Sequence, residues 1–410
     1  MTSIDTPRFD AHFKPKFSPD YLRGNNYICH FSVFKKEVMD KLEGFRDDYN
    51  GAQDLDIFLR MTEIVEPKDI IHIPKVLYHW RICETSTAGN PEGKLYAYES
   101  GRKAVEDHIH RLGLKGTAER DPNMFGIYRV KYDVEKNDKA SIIISEYLNK
   151  DNLERCIESI LNITEHKNYD INIVENKDLK DDKEIKDYLK HIEKKDNINV
   201  YRNFENAKTN FEKLNNVVSK LKTDYLVFVN GNLKIEESRW LTDFIGFARR
   251  NEIGAVGGKI YNADDTIYFA GRAITYAGVL DLNKDLNRKY YGYFAKECHI
   301  ENYSSVSSKL MIVSKEKFDE VGEFDTSLEV LSDVELNLKL LDKGYLNVYN
   351  PYDYAYISED YVEINEYEEK RDAESKKIVE NRNIVSDPFF SINMNQESKD
   401  YLVRTDKVNL

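Results

Sequence analysis

From residue 140 onward, short apolar runs alternate with longer amphipathic segments. The apolar runs have the composition of buried strands, and the amphipathic segments have the apolar spacing of helices. Asp151 stands at the start of the first such helix and is a candidate helix cap. The alternation predicts an α/β fold with a parallel sheet and helices on both faces. The predicted elements are the strand ASIIIS (140–145), the helix DNLERCIESILN (151–162), the strand YDINIVEN (169–176), a helix at 210–221 and the strand DYLVFV (224–229).

Each of these three strands ends in polar residues. The ends are Ser145-Glu146, Glu175-Asn176 and Asn230-Gly231-Asn232. Asn-Gly between strand-like runs is by itself the strongest short-range hairpin signal. In an open parallel sheet, however, ligands bind beyond the carboxyl ends of the strands. Three polar ends at one edge therefore favour a binding crevice over an isolated hairpin at 230–232.

The first 114 residues follow a different pattern, with Pro and Gly breaks typical of loops in residues 1–26. We expect a partial domain at 1–114, a linker at 115–139, a complete domain at 140–360, and a C-terminal helix and tail at 361–410. Within the first of these, apolar spacing predicts strands at 27–34 and 70–80 and helices at 35–41, 54–62 and 95–112.

Composition narrows the classes of function. The chain has 410 residues, 41% of them hydrophobic, which is enough for folded cores. Its formal net charge of −13 argues against nucleic acid as a partner, because phosphate binding needs clustered Lys and Arg. No apolar run approaches the ~18 residues of a membrane span. The four scattered cysteines form no CxxC pair, which predicts a cytoplasmic protein with reduced thiols.

The chain also repeats part of itself at a constant offset of 279 residues. Asp54 aligns with Asp333, and Asp56 aligns with Glu335. Each copy is a turn followed by an acidic start to an apolar helix. The exposed N–H groups of a first helical turn stabilise a carboxylate there, so helix capping explains either copy alone. The same acidic pair in both copies favours a shared ancestral site.

Several motifs occur in a fixed order along the chain. They are GFRDDYNGAQDLDIFLR (44–60) and HIPKVLYHWRICETSTA (72–88), then ASIIISEYLNKDNLERCIESI (140–160), YLVFVNGN (225–232) and SDVELNLKLLDKGYLNVYNPY (332–352). Together they resemble family 2 glycosyltransferases of the GT-A fold, in particular two-domain, rhamnosyltransferase-like enzymes of bacterial surface-polysaccharide assembly. The resemblance implies a Rossmann-like, mixed but mostly parallel GT-A domain, preceded by a partial, truncated GT-A domain that holds an acceptor half.

The resemblance also implies a reaction. A sugar passes with inversion from a nucleotide-diphosphate donor to a glycan or lipid-linked glycan acceptor, in the cytoplasm or at the inner face of the membrane. A carboxylate heading a later helix is the base, which is Asp333 in the second copy and Asp54 in the first. A divalent cation, Mn²⁺ or Mg²⁺, bridges the donor diphosphate. The implied nucleotide-sugar contacts are Ser145, Glu146, Glu175, Asn176, Asn230 and Asn232.

Each copy departs from the family pattern. The resemblance implies an acidic DxD motif where this chain has Asn230-Gly231-Asn232, and the amide of Asn232 brings no negative charge. Where the first copy has His79, the second has Ile357. The candidate metal ligands are therefore His79 and Asn232, and we expect the cation to be weakly held or absent. His79 is equally well interpreted as a hydrogen-bonded core histidine.

The first copy has Asp54 and His79, but no strand–helix–strand run precedes Phe13. We expect this partial domain to pack against the second domain, against a further segment, or against a protein partner or second copy that completes it. The open interpretations are a glycosyltransferase with impaired activity, or a non-catalytic pseudoglycosyltransferase or fragment acting as a glycan- or partner-binding subunit.

Overall fold

The computed structural model describes residues 10–80, 91–204, 206–363 and 365–404. Its helices are α1 (Pro19–Gly24), α2 (Lys36–Lys41), α3 (Gln53–Thr62), α4 (Leu95–Arg111), α5 (Lys150–Ile163), α6 (Lys183–Ile192), α7 (Asn210–Val218), α8 (Trp240–Ala248), α9 (Lys315–Glu320), α10 (Ser332–Asp342) and α11 (Asn365–Arg382).

Its strands are β1 (Gly116–Arg120), β2 (Tyr128–Tyr132), β3 (Ala140–Ser145), β4 (Tyr169–Val174), β5 (Ile198–Tyr201), β6 (Tyr225–Asn230), β7 (Leu233–Ile235), β8 (Ile253–Tyr261), β9 (Ile267–Phe269), β10 (Arg272–Thr275), β11 (Gly278–Asp281), β12 (Glu301–Tyr303), β13 (Leu310–Ser314) and β14 (Leu346–Ile357).

One large mixed sheet organises the second part of the chain. Its order is β12-β14-β8-β13-β6-β3-β4-β5, with β7 paired to β14 and β9 paired to β8. The strands β6, β3, β4 and β5 run parallel to one another. β13 is antiparallel to both β6 and β8, and β14 is parallel to β8. The predicted α/β class with a Rossmann-like parallel half is confirmed.

Helices cover both faces of the parallel strands. Along β3, Ile142 and Ile144 belong to the same apolar cluster as Leu153 of α5. Ile143 points to the opposite face and belongs to the cluster that contains Phe211 of α7. Because successive side chains of a strand point to opposite faces, this two-sided burial explains why β3 reads as an unbroken apolar run.

The N-terminal region packs against this domain. Tyr21 of α1 and Leu55 and Ile57 of α3 belong to the same apolar cluster as Ile142. The segment predicted as a linker, 115–139, contains the antiparallel pair β1–β2, and its Val130 is buried in that cluster. Residues 115–139 thus contribute a strand pair and a buried side chain to the folded core. Within the described residues, no helix has the length and apolar composition needed to cross a bilayer.

The internal repeat is confirmed by the backbone. α2 and α9 begin and end at equivalent residues under the offset of 279, and α3 and α10 begin at equivalent residues. Between these helices each copy has two consecutive residues with positive φ. They are Glu43 (56°) and Gly44 (75°) in the first copy, and Gly322 (83°) and Glu323 (60°) in the second.

The structure corrects three predictions about secondary structure. The strands predicted at 27–34 and 70–80 are absent: both segments are irregular as far as the structure describes them. By the repeat they correspond to β13 and β14, which are held by β6 and β8, and a strand without hydrogen-bonding neighbours does not form. The cap of α5 is Asn149 rather than Asp151, because the Asn149 side chain accepts the N–H of Asn152 at 2.9 Å.

Candidate functional site

The ends of β3 and β6 lie side by side. Ser145 and Asn230 are register partners, and the N–H of Gly231 donates to the Ser145 carbonyl at 2.7 Å. After Gly231 the chain does not fold back on β6, because β7 pairs with β14 instead. The hairpin interpretation of Asn230-Gly231-Asn232 is therefore wrong, and this segment forms part of the carboxyl edge of the parallel strands.

Gly231 is required by packing at this edge. A Cβ atom on this residue would lie 2.8 Å from the Cβ of Tyr147 and 3.3 Å from the Ser145 carbonyl oxygen. Real Cβ atoms do not approach other carbons at 2.8 Å, so the two strand ends could not come together with a larger residue there. The glycine thus sets how closely the ends of β3 and β6 approach.

The carboxamide of Asn232 points into the protein, where the residue is fully buried. Its Oδ1 accepts the N–H of Leu148 at 2.9 Å and the Nδ2 of Asn152 at 3.1 Å. Its Nδ2 donates to the Glu146 carbonyl and, at 2.8 Å, to the Oδ1 of Asn230. All four hydrogen-bonding positions of this amide are used within the protein.

Asn230 connects this buried amide to an exposed acid. Its Oδ1 accepts from the side chain and, at 3.0 Å, from the backbone N–H of Asn232. Its Nδ2 donates to the Oε2 of Glu146 at 3.0 Å. Glu146 is exposed and has a φ of +58°, a conformation uncommon for a residue with a side chain. Glu146 is thus the accessible carboxylate at these strand ends.

The end of β4 is tied to the same edge through Tyr147. The Asn176 backbone N–H donates to the Tyr147 hydroxyl at 3.0 Å, and its Nδ2 donates to the Tyr147 carbonyl at 2.9 Å. Burial raises the pKa of Tyr147 to about 12, so its hydroxyl stays neutral at physiological pH. Glu175 is half-buried beside this contact. The structure therefore brings all three predicted strand ends together.

Asp333 is the second residue of α10 and is buried. Its Oδ2 accepts from Arg272 Nη1 at 2.9 Å and from the Ser308 N–H at 3.0 Å, and its Oδ1 accepts the N–H of Val334 at 2.8 Å. Arg272 also bonds Asp281 at 2.7 Å. Burial would raise the pKa of Asp281, but the nearby arginine charges outweigh burial and lower it to about 2.

The C-terminal helix α11 packs over the head of α10. The carboxylate of Glu374 accepts the backbone N–H groups of Glu329, Val330 and Leu331 at 2.6, 3.0 and 2.8 Å. Arg382 forms two hydrogen bonds with Glu335, at 2.9 and 2.6 Å. These contacts hold α11 beside the helix that carries Asp333.

Lys309 is a buried residue of this site that the sequence analysis missed. The N–H of Asn230 donates to its carbonyl at 2.8 Å, and the preceding residue, Ser308, bonds Asp333. Its ammonium lies 3.3 Å from the Tyr367 hydroxyl and 3.8 Å from Glu363. In the sequence, Lys309 stands directly before the apolar strand β13, and a lysine at such a position is usually solvent-exposed.

The first copy reproduces the geometry of Asp333 in part. Asp54 is the second residue of α3, and its Oδ1 accepts the N–H of Leu55 at 2.9 Å, as Asp333 accepts that of Val334. Its Oδ2 accepts from Asn26 at 2.9 Å rather than from an arginine. His79 is exposed, so its interpretation as a core histidine is wrong. The hydrogen bonds of Asp54 thus go to Asn26 and Leu55, neither of which lies at the ends of β3, β4 or β6.

The predicted metal ligands do not form a cation site. Hard divalent cations need several anionic or carbonyl oxygens. Among the described residues there is no group of three or more His, Cys, Asp or Glu side chains that could hold a metal ion. The Oδ1 of Asn232 already accepts two hydrogen bonds, and His79 is on the first copy. The residues at Asn230-Gly231-Asn232 therefore do not fit a divalent cation.

Comparison with known proteins agrees with this fold. Residues 141–322 match glycosyl transferase family 2. The chain is 34% identical over 361 residues to the uncharacterized protein y4gI of Sinorhizobium fredii, covering 86% of this chain and 39% of that protein. It is 30% identical over 338 residues to the O-antigen biosynthesis protein RfbC of Myxococcus xanthus, covering 81% of this chain and 26% of that protein. The chain thus spans well under half the length of both relatives.

Solved structures with distant similarity include GalNAc-T7 with UDP, GalNAc and Mn²⁺, at 15% identity and a TM-score of 0.44, covering 64% of this chain and 56% of that one. Another is the mannosyltransferase PcManGT from Pyrobaculum calidifontis with GDP-Man and Mn²⁺, at 12% identity and a TM-score of 0.45, covering 63% and 68%. Residues 141–322 thus form a glycosyltransferase family 2 domain built on the mixed sheet.

Proposed function

We propose that the domain at 140–360 binds a nucleotide-diphosphate sugar at the carboxyl edge of β3, β4 and β6 and takes part in bacterial surface-polysaccharide synthesis. The observation that carries this is the junction of three polar strand ends with the segment 308–309, which reaches the buried Asp333. The relative in Myxococcus xanthus is named for O-antigen biosynthesis, which supports a polysaccharide role.

In the proposed reaction the nucleotide lies against Glu175 and Asn176, and Ser145, Glu146 and Asn230 face the donor. The acceptor hydroxyl oxygen forms a bond to the anomeric carbon while the bond to the diphosphate oxygen breaks, which inverts the centre. The nucleoside diphosphate leaves with the electron pair, and Asp333 takes the hydroxyl proton. For this, an oxygen of Asp333 must exchange its contact with Arg272 or Ser308 for the acceptor.

We propose a glycan or lipid-linked glycan as the acceptor, with the chain acting in the cytoplasm or at the inner face of the membrane. The two distant structures were solved with Mn²⁺, a cation that would supply charge to the leaving diphosphate. Because the residues at 230–232 do not fit such a cation, no step here depends on it.

A non-catalytic role is the second candidate, and the contacts of Asp333 favour it. Both oxygens of this carboxylate already accept hydrogen bonds, from Arg272, Ser308 and the Val334 N–H, so neither oxygen is free to take the proton of an acceptor hydroxyl. A pseudoglycosyltransferase would keep the nucleotide or glycan site and lose turnover.

The first copy supports a role for a protein partner. Apolar side chains are exposed on its two irregular segments, which correspond to β13 and β14 of the second copy; examples are Phe31 (68%), Val33 (80%) and Ile71 (77%). Exposed apolar clusters of this kind mark interaction surfaces. We propose that a partner or a second copy covers them. Light scattering should show a complex that Phe31→Ser with Ile71→Ser dissociates, and a monomer at all concentrations in both proteins would refute self-association.

The test of function combines binding with turnover. UDP and dTDP should raise the unfolding temperature, because a ligand of the folded state stabilises it. Transfer from the matching sugar nucleotide should be lost in Asp333→Asn while nucleotide binding remains. Asp342→Asn, an exposed change on the same helix, should keep both properties. Binding without transfer would select the pseudoenzyme, and no response at millimolar UDP or dTDP would refute nucleotide recognition altogether.

A further inference from the structure

Lys309 lies between the two parts of the site that a sugar diphosphate must span. Its carbonyl accepts the N–H of Asn230 at 2.8 Å, on the side of the strand ends. Its neighbour Ser308 donates to Asp333 at 3.0 Å, on the side of the candidate base. Two consecutive residues thus connect the position expected for the diphosphate to the position expected for the reacting sugar.

The ammonium of Lys309 is enclosed by aromatic rings. The ring centroids of Tyr268, Tyr361 and Tyr367 lie 5.9, 6.0 and 5.3 Å from its Nζ, a distance at which ring faces attract a cation. Burial alone would lower the pKa of Lys309, but the tyrosines and Glu146 outweigh burial and hold it above its usual range. The cage therefore keeps a buried positive charge at neutral pH.

An anionic oxygen already occupies a position beside this charge. The Oε1 of Glu363 lies 3.8 Å from the Lys309 ammonium, and its other oxygen lies 3.2 Å from Lys284. A phosphate oxygen in the place of that carboxylate would have the same electrostatic partner, and charge-assisted contacts between lysine and phosphate are strong.

The strand ends at Asn230 and Asn232 cannot provide positive charge by holding a cation. The carboxamide of Asn232 is saturated by hydrogen bonds within the protein, and Asn230 bonds Glu146. A leaving diphosphate still needs positive charge close to it, because charge develops on its oxygen as the bond to the sugar breaks. At the junction of Asn230 and Asp333, Lys309 offers a buried cation, whereas the buried Arg272 is already paired with Asp333 and Asp281.

We propose that this site binds the nucleoside diphosphate without a divalent cation and that the Lys309 ammonium is the counter-charge of the diphosphate. The inference rests on the proposed nucleotide-sugar function and adds to it the residue that replaces the metal. On binding, the diphosphate displaces Glu363 from Lys309, and the tyrosine cage keeps the ammonium in position.

The experiment is calorimetric titration of the chain with UDP, dTDP and uridine, each in EDTA and in Mn²⁺. We expect the diphosphate affinity to change less than about twofold between EDTA and Mn²⁺. Lys309→Met should weaken diphosphate binding tenfold or more and leave uridine binding unchanged, which a folding defect would not do. Lys309→Arg should recover most of the affinity. Lys284→Met removes a neighbouring charge of the same cluster and should change the affinity less than about threefold.

Other results would overturn the proposal in distinguishable ways. Diphosphate binding that needs Mn²⁺ and survives Lys309→Met would refute the role of Lys309 and leave the proposed function standing. An equal loss of uridine and diphosphate affinity in Lys309→Met would show a structural role alone. Failure of both UDP and dTDP to bind under either condition would refute the nucleotide site and this inference with it.

Discussion

Asn232→Asp restores the acid that a metal-binding motif would have, and we predict that it destabilises the protein instead. In the structure the Nδ2 of Asn232 donates to the Glu146 carbonyl and to the Oδ1 of Asn230. The substitution places an acceptor oxygen where this donor stood, so three oxygens would face one another. The new carboxylate would also be fully buried, like the amide it replaces.

The expected cost follows from these contacts. Two hydrogen bonds are lost. The Oδ1 of Asn230 still accepts the backbone N–H of residue 232, but the Glu146 carbonyl loses its side-chain donor, at a cost of about 1–3 kcal/mol. An uncompensated buried charge adds to this, so we expect a loss of about 3–5 kcal/mol in unfolding free energy at pH 7. The introduced carboxyl escapes part of the cost by binding a proton, because burial raises its pKa. The loss should therefore shrink as the pH falls towards 4.

Chemical denaturation of both proteins at pH 4.5 and 7, with and without Mn²⁺, measures this effect. The exposed Asn251→Asp is the matched control and should change the unfolding free energy by less than about 0.5 kcal/mol. A variant at position 232 that is as stable as the natural chain and is further stabilised by Mn²⁺ would refute the reasoning. That result would mean that the Asn232 side chain lies at a metal site and does not depend on hydrogen bonds within the protein.

Three further predictions concern the framework of the site. Gly231→Ala should cost about 1–3 kcal/mol because its Cβ would meet Tyr147 at 2.8 Å; unchanged denaturation would show that the strand ends can separate freely. Glu374→Ala removes the acceptor of three backbone N–H groups before α10 and should lower the unfolding free energy by about 1–3 kcal/mol. Proteolysis of α11 should increase in this variant, and unaltered proteolysis would contradict the packing of α11 against α10. Burial raises the pKa of Asp387 to about 6, so ionisation of this carboxyl opposes folding. The contribution of Asp387 to the unfolding free energy should therefore fall by about 3 kcal/mol as the pH rises from 4 to above 6. Asp387→Asn should lack this pH-dependent component, and parallel pH profiles of the two proteins would contradict the prediction.

Much of the second domain could be predicted because its signals are local. Apolar runs such as 140–145 are buried on both sides and therefore show in the sequence, and the helices between them carry clear amphipathic spacing. The juxtaposition of the three strand ends followed from the rule that parallel strands end at one edge. The acidic repeat was also visible, since Asp54 and Asp333 occupy the same helical position.

The missed features depend on contacts between distant residues. The segments 27–34 and 70–80 have strand composition but lack the neighbours that β13 and β14 have. A lysine is ordinarily exposed, but the packing of Tyr268, Tyr361 and Tyr367 around Lys309 buries it. The inward orientation of Asn232 depends on partners up to 86 residues away in sequence, which the local motif does not reveal.

The most direct test of the account is a crystal structure of the chain with UDP and Mn²⁺, with anomalous data collected at the manganese edge. We predict the diphosphate at the ends of β3 and β6, with a phosphate oxygen in hydrogen-bond contact with the Lys309 ammonium and no anomalous peak beside Asn232. A manganese peak coordinated by the Oδ1 of Asn232, or a diphosphate bound far from Lys309, would contradict the account.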